Sequence, residues 1–298
     1  MFDLAGFYIP DGAINGVESI RRTGRADEYE LVARFRKAGE HDSTAMAVTV
    51  FGVREGGRWV LANALPRTTS NWERHVVGPI TYVVDPRVRF SMSRARQAVA
   101  FIDSLANAFA LPRVGATDYY VMSSVDVAME SLGVRTTARY GAAGGFSKPV
   151  NHQVFSGIPA QGENYRHELA HLVLRPLVNG STTTLLASEG AATWLGGTGG
   201  TDFRGSVRAL SNYLHQNPTV TLDSIIDSGS TPQSVRYTAG AVLCEMLARH
   251  GGAQAIAAFH GAGPGVAQVR AALVRALGRT WPVIASEWRA LVVQLGSA

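Results

Sequence analysis

His167-Glu168-Leu169-Ala170-His171 decides the reading of this 298-residue chain. Preceded by Glu163-Asn164-Tyr165-Arg166 and followed by Leu172-Val173-Leu174, it reads as a helix whose second half is strongly apolar. An α-helix turns about once every 3.6 residues, so histidines at i and i+4 stand one above the other on a single face. Two imidazoles placed that way can bind one metal ion together. Glu168, next to the first of them, comes near enough to the same face to reach a water on that ion. A metal lowers the pKa of its bound water to about 7, and a neighbouring carboxylate can then take the proton as the water attacks a carbonyl. Paired histidines on a helix are also ordinary surface or core residues. Context favours the metal, because two histidines and a glutamate on so apolar a helix are costly to bury unless something compensates them, and a cation does.

A catalytic zinc takes three protein ligands and keeps one open position. The third candidate is Glu189, within Leu185-Leu186-Ala187-Ser188-Glu189-Gly190-Ala191-Ala192-Thr193-Trp194-Leu195, which reads as a second apolar helix. Gly190, beside the glutamate, is expected to let this helix approach the first one closely. The interval from His171 leaves room for the first helix to finish near Pro176, for a loop through Asn179-Gly180-Ser181, and for an antiparallel return. The expectation is one Zn2+ per chain.

His-Glu-x-x-His followed by Glu-Gly-x-Ala-x-aromatic on the next helix resembles the gluzincin metallopeptidases, the broad group that includes thermolysin and the alanyl-aminopeptidase-like enzymes. The resemblance implies His167, His171 and Glu189 as zinc ligands and Glu168 as general base. The metzincin pattern needs a glycine and a third histidine soon after the motif, where this chain has Leu174 and Leu177. Many gluzincins carry an acidic residue four positions after the ligand glutamate, which orients a metal-bound histidine. Here that position is Thr193, whose hydroxyl could accept the imidazole N–H but would raise ligand basicity less than a carboxylate. The Gly-x-Met-x-Asn signature of resembling aminopeptidases is missing, so an exopeptidase of that type is not supported. A tyrosine or histidine on a later helix often donates to the developing oxyanion in this group. Tyr237, leading Ser234-Val235-Arg236-Tyr237-Thr238-Ala239-Gly240, is the candidate, with Arg236 and Tyr165 as weaker alternatives. Tyr237 reads equally as a core tyrosine that satisfies its hydroxyl locally.

These residues point to zinc-dependent hydrolysis of peptide bonds, by an endopeptidase rather than an exopeptidase. The alternatives are an inactive zinc-containing binding protein and a zinc hydrolase of a non-peptide amide or ester. Upstream, Phe146 to Gly157 reads as one strand bounded by glycines. In related folds an edge strand here pairs with the extended substrate, and His152 could then face the cleft. Cys244 lies in an apolar helix, where a thiol behaves as a small hydrophobe.

The fold class expected is α+β, divided near residue 78. Residues 1–78 read as a β-meander domain: Glu28 to Arg36 alternates as a half-buried strand does, Ala45 to Val53 is β-branched, and Glu55-Gly56-Gly57-Arg58 is a hairpin turn leading into Trp59 to Leu65. This segment faintly resembles the later strands of nuclear-transport-factor-like cones. Residues 79–298 read as the gluzincin-like domain, first a small mixed sheet with strands at Ile80 to Val84 and Asp118 to Met122, with Ser91 and Ser124 as helix caps. From Glu163 on, nearly every segment reads as helix: Phe203 to Gln216, Ser234 to His250, Ala253 to Phe259, Gly265 to Leu277 and Trp281 to Leu295.

Composition narrows the partners. With 46% hydrophobic residues the chain can build substantial cores, yet it has no run of the roughly eighteen apolar residues that a transmembrane helix needs. Met1 to Gly6 lacks the basic and apolar regions of a signal peptide, and one cysteine excludes an intrachain disulfide, which leaves the compartment open. The net charge of +5 comes from scattered arginines, with no dense run interleaved with aromatics, so nucleic acid is not expected. The partner expected is a peptide or protein substrate.

Overall fold

The computed structural model describes residues 12–37, 46–136, 144–178, 183–227 and 231–297. The chain opens with β1 (Gly12–Arg22), β2 (Glu28–Lys37), β3 (Met46–Glu55), β4 (Arg58–Asn63) and the single turn α1 (Leu65–Thr68). There follow β5 (Glu73–Val77), β6 (Ile80–Val84), α2 (Met92–Ala108), β7 (Thr117–Val121), α3 (Val125–Ser131), β8 (Val134–Thr136), β9 (Gly145–Lys148) and β10 (Gln153–Ser156). The remainder is helical: α4 (Arg166–Leu174), α5 (Leu185–Gly196), α6 (Phe203–Gln216), α7 (Leu222–Asp227), α8 (Gln233–His260), α9 (Val266–Leu277) and α10 (Trp281–Gly296). The architecture is α+β, strand-rich at the start and helical at the end, as the sequence predicts.

The first sheet is an antiparallel meander in the order β1-β2-β3-β4. Gly56 and Gly57 both take positive φ, +56° and +81°, which is what a two-residue turn between right-twisted strands requires. Beside β4, β8 completes the neighbour of β3, with Met46 opposite Thr136 and Val48 opposite Val134. The second sheet runs β5-β6-β7-β10-β9, its central three strands parallel and its two edges antiparallel. The two sheets therefore do not separate at residue 78: β5 lies before that point yet belongs to the second sheet, and β8 returns to the first.

Period-two alternation gives the second sheet two buried faces, as parallel strands need. Ile80, Tyr82, Tyr119, Val121 and Val154 pack with Ala98 and Ile102 of α2 and with Leu169 and Val173 of α4. Val83, Tyr120, Met122 and Phe155 point the other way, onto Leu65 of α1 and Val127 of α3. Ser91 and Ser124 cap α2 and α3 as predicted, their hydroxyls accepting from the N–H groups of Arg94 and Val127. The strand expected over Phe146 to Gly157 is instead a hairpin: β9 and β10 flank a short 3-10 turn over Pro149–Asn151, and β9 is the edge strand. Proline at that turn and a left-handed His152 (φ +52°) after it reverse the chain. In the helical half, α8 runs through the core and breaks at Gly252, whose φ/ψ are non-helical, where the sequence marks two helices. Trp288 of α10 is fully buried against it, donating its indole N–H to the Ala239 carbonyl at 3.2 Å.

Candidate functional site

Helices α4 and α5 carry the His-Glu-x-x-His motif and Glu189, and lie antiparallel. Gly196 of α5 sits on the backbone of Arg166 and His167, while Ser188, two turns earlier, lies 3.4 Å from His171 Nδ1. A methyl group at Gly196 would run into the His167 amide nitrogen, so this glycine sets the approach of the two helices. Gly190 does a different job from the one expected of it. It faces Gly240 of α8, where a Cβ would come within 2.6 Å of the Gly240 Cα. The site thus rests on two glycine contacts, one drawing α5 onto α4 and the other drawing α8 onto α5.

This packing brings the three expected ligand residues together. His167 Nε2 lies 3.0 Å from Glu189 Oε2, and His171 Nε2 lies 3.4 Å from Glu189 Oε1. One ligand atom from each falls within 4.8 Å of the others, so the group can hold a metal ion. The donor set fits that role. His167 Nδ1 donates to the Gly197 carbonyl at 2.6 Å, which leaves the Nε2 lone pair for a cation. Gly197 supplies that carbonyl from backbone at φ +75° and ψ −170°, a conformation essentially restricted to glycine. Thr193 plays no such part: its hydroxyl is buried and unpartnered, one helical turn short of the imidazole edge that Gly197 serves.

Charge binds the cluster. Burial opposes ionisation of Glu189, but the two imidazoles hold its carboxyl far below the usual carboxylate range. Burial likewise lowers the His171 imidazolium, yet the charge and hydrogen bond of Glu189, with the charge of Glu168, hold it up to about 9. A cation among the three groups would take the place of the His171 proton that Glu189 holds.

The cluster lies in a cavity of about 1090 Å³ that Glu168 also lines, and that carboxylate is 95% buried in residue terms (5% exposed). Phe146 and Ser147 of the edge strand β9 form one wall. Thr198, Gly199 and Thr201 form another, and α6 with the start of α8 closes the far side. Tyr237 reaches the site: its ring stacks on His167 at 6.2 Å between centroids, and its hydroxyl takes a hydrogen bond from Gln233 at 2.5 Å. Burial, then the charge of Glu189, hold that phenol protonated far above its ordinary value. Tyr165 also lines the cavity, its ring 6.0 Å from His167, whereas Arg236 does not. His152 does not face this cleft, because the hairpin turn carries it to a separate depression beside Arg113 and Arg175. Cys244 is buried, and desolvation raises its thiol far above the range of a nucleophile.

Gly197, Ser188 and Gln233 touch site residues and escape the sequence reading. The run Gly196-Gly197-Thr198-Gly199-Gly200-Thr201 carried the one available signal, a glycine cluster directly after the ligand helix. Compared with known proteins, the chain matches no family model, and no curated protein matches it either.

Proposed function

We propose that this chain is a zinc-dependent hydrolase of peptide bonds, of gluzincin type, acting on internal bonds. The observation that carries the reading is Glu168: a buried carboxylate one residue from a three-group ligand set, in the same cavity. A site that merely staples two helices has no use for it. His167, His171 and Glu189 would hold the ion. Zinc suits two imidazoles and one carboxylate, and when bound supplies Lewis acidity and a water acidified to a pKa of about 7.

The remaining roles belong to the chain. Glu168 takes a proton from the water as its oxygen bonds to the scissile carbon, and passes that proton to the leaving nitrogen as the C–N bond breaks. The second proton of the water follows to the same nitrogen, so the products are a carboxylate and an ammonium. Tyr237, held protonated beside the site, donates to the carbonyl oxygen as it gains charge. The outer edge of β9 offers backbone groups to an extended substrate, as edge strands do for peptides. An exopeptidase needs a fixed charge for a chain terminus. Apart from Glu168 and Glu189, the lining offers, among the described residues, no carboxylate for an α-ammonium and no arginine or lysine for an α-carboxylate.

Two measurements test this reading. Elemental mass spectrometry of protein purified without added metal should find about one zinc per chain, lost on chelation. Glu168→Gln should keep the zinc and lose cleavage of a peptide library. Cleavage that survives this substitution unchanged would overturn the proposal.

A further inference from the structure

We infer that the depression beside the β9–β10 hairpin is a second binding site for the peptide substrate, one that takes acidic side chains a few residues from the bond cleaved. The inference rests on the peptidase reading above. The depression encloses about 420 Å³ and gathers Arg113, His152 and Arg175 from three separate segments: the loop before β7, the turn before β10 and the end of α4. Arg113 and His152 are exposed, and Arg175 is half-buried. Arg175 stands at the carbonyl end of α4, where it gives an Nη1 N–H to the Val178 carbonyl at 2.8 Å. A guanidinium carries five N–H donors, so most of them remain for a ligand. Val114, Pro149 and Val178, all half-buried, lie between the charged groups. Apolar walls of this kind focus the field of the cations and strengthen their hydrogen bonds to an anion.

The position of the depression ties it to the substrate. Pro149 lines both the depression and the cavity that holds the candidate metal cluster. β9, whose outer edge would carry the extended peptide, ends at Lys148, immediately before that proline. From Phe146 in the cavity wall to Pro149 is about 10 Å at the rise of a strand. A peptide that follows β9 past Pro149 therefore brings a side chain a few residues from the scissile bond over Arg113 and Arg175. A glutamate or aspartate there meets guanidinium donors that can bind it in parallel pairs. A lysine or arginine there meets like charge. The net charge of +5 attracts acidic peptides from a distance as well, and the local site fixes where along the chain they bind.

The test uses the zinc-loaded full chain carrying Glu168→Gln, so that peptides bind without turnover. Fluorescent decapeptides of one neutral sequence carry Glu-Glu near the N-terminus, Glu-Glu near the C-terminus, or Gln-Gln at both places, and anisotropy gives their affinities. At least one Glu-Glu peptide should bind about tenfold more tightly than the Gln-Gln peptide. Arg113→Glu should bring the two within about twofold. Arg175→Gln, whose amide can still donate to Val178, should shrink the gap as well. Arg21→Glu makes the same change in net charge at an exposed position of β1, and should leave the gap intact. Equal affinity for all the peptides overturns the inference, as does a gap that Arg113→Glu leaves unchanged or that Arg21→Glu closes as fully, while the peptidase reading stands. Inorganic phosphate bound by the native chain and lost in Arg113→Glu, with no gap between the peptides, would make the depression a small-anion site and overturn the inference too. Failure of every peptide to bind also overturns it. Joined to failure of the native chain to cleave a peptide library, that result takes the peptidase reading with it.

Discussion

Replacing Gly197 with alanine should weaken metal binding although residue 197 is not a ligand. The Gly197 carbonyl is the acceptor for His167 Nδ1 at 2.6 Å, and the backbone that presents it has φ +75° and ψ −170°. An alanine in that region carries about 1–3 kcal/mol of strain. Its Cβ would also run into the Thr201 carbonyl oxygen and come within 3.1 Å of Asp202 Cα. The turn must move, and the carbonyl moves with it. His167, only 3% exposed, then keeps a buried N–H without an acceptor, which costs about 1–3 kcal/mol more. Loss of a partner that orients a ligand histidine typically lowers metal affinity about 10- to 100-fold, or about 1.4–2.7 kcal/mol. The assay is competition for zinc against a chromophoric chelator at neutral pH. Gly199→Ala is the control: it too replaces a positive-φ glycine (+55°) of the same turn, but its Cβ meets nothing within 4 Å and its carbonyl does not hold His167. A folded Gly197→Ala protein with zinc affinity within twofold of the native chain would refute the reasoning.

Glu168→Gln should leave zinc content unchanged and lower peptide cleavage by about 10²–10⁴-fold, read from initial rates. Gly240→Ala should be severely destabilising, because its Cβ would run into the Leu186 carbonyl oxygen at the α5–α8 crossing. Overpacking of this kind costs about 1–3 kcal/mol, visible as a lower thermal midpoint, and an unchanged midpoint would mean that the crossing is not tight. His260 supplies a pH dependence: burial, with the charge of His171 adding to it, pushes its imidazole down to about 4. The unfolded chain therefore binds the proton first, so stability falls as pH drops from about 6.5 towards 4, on the order of 2 kcal/mol by pH 5. Denaturant melts at neutral pH and pH 5 should show this loss in the native chain and not in His260→Gln, and parallel losses in both would discount His260.

The candidate metal cluster was legible because its spacing is local. His167 and His171 share a face by helical periodicity alone, and one apolar helix return brings Glu189 to them. Caps at Ser91 and Ser124 were legible for the same reason, since a hydroxyl reaches an N–H three residues on. What escaped depends on distant partners. β8 is three residues long and pairs with β3 some ninety residues earlier, so no local pattern announces it. β5 reads Glu-Arg-His-Val-Val, too polar to stand out, because it is an exposed edge strand. Gly190 showed that some helix comes close without showing which, and the choice of Gly240 over α4 depends on the packing of α8. Thr193 was weighed by its place in a motif, yet the acceptor for His167 is a backbone carbonyl, which no side-chain pattern can reveal.

That substitution of backbone for side chain bears on how the site works. A carboxylate behind a ligand histidine raises the basicity of the imidazole as well as aiming it, whereas a neutral carbonyl mainly aims it. Here the aim is set by elements that hardly move independently. Gly197 continues directly from α5, the helix that carries Glu189, and Gly196 fixes that helix on the first turn of α4, which carries His167. A shift that moved the acceptor away from His167 would also shift Glu189 against the two histidines. Ligand geometry and imidazole orientation are therefore one variable in this chain, governed by the contact at Gly196. Gly196→Ala should then lower zinc affinity more than Gly197→Ala, because it displaces a ligand as well as the acceptor. If the zinc competition assay ranks the two in the opposite order, orientation of His167 is separable from the helix contact and the coupling argued here is absent.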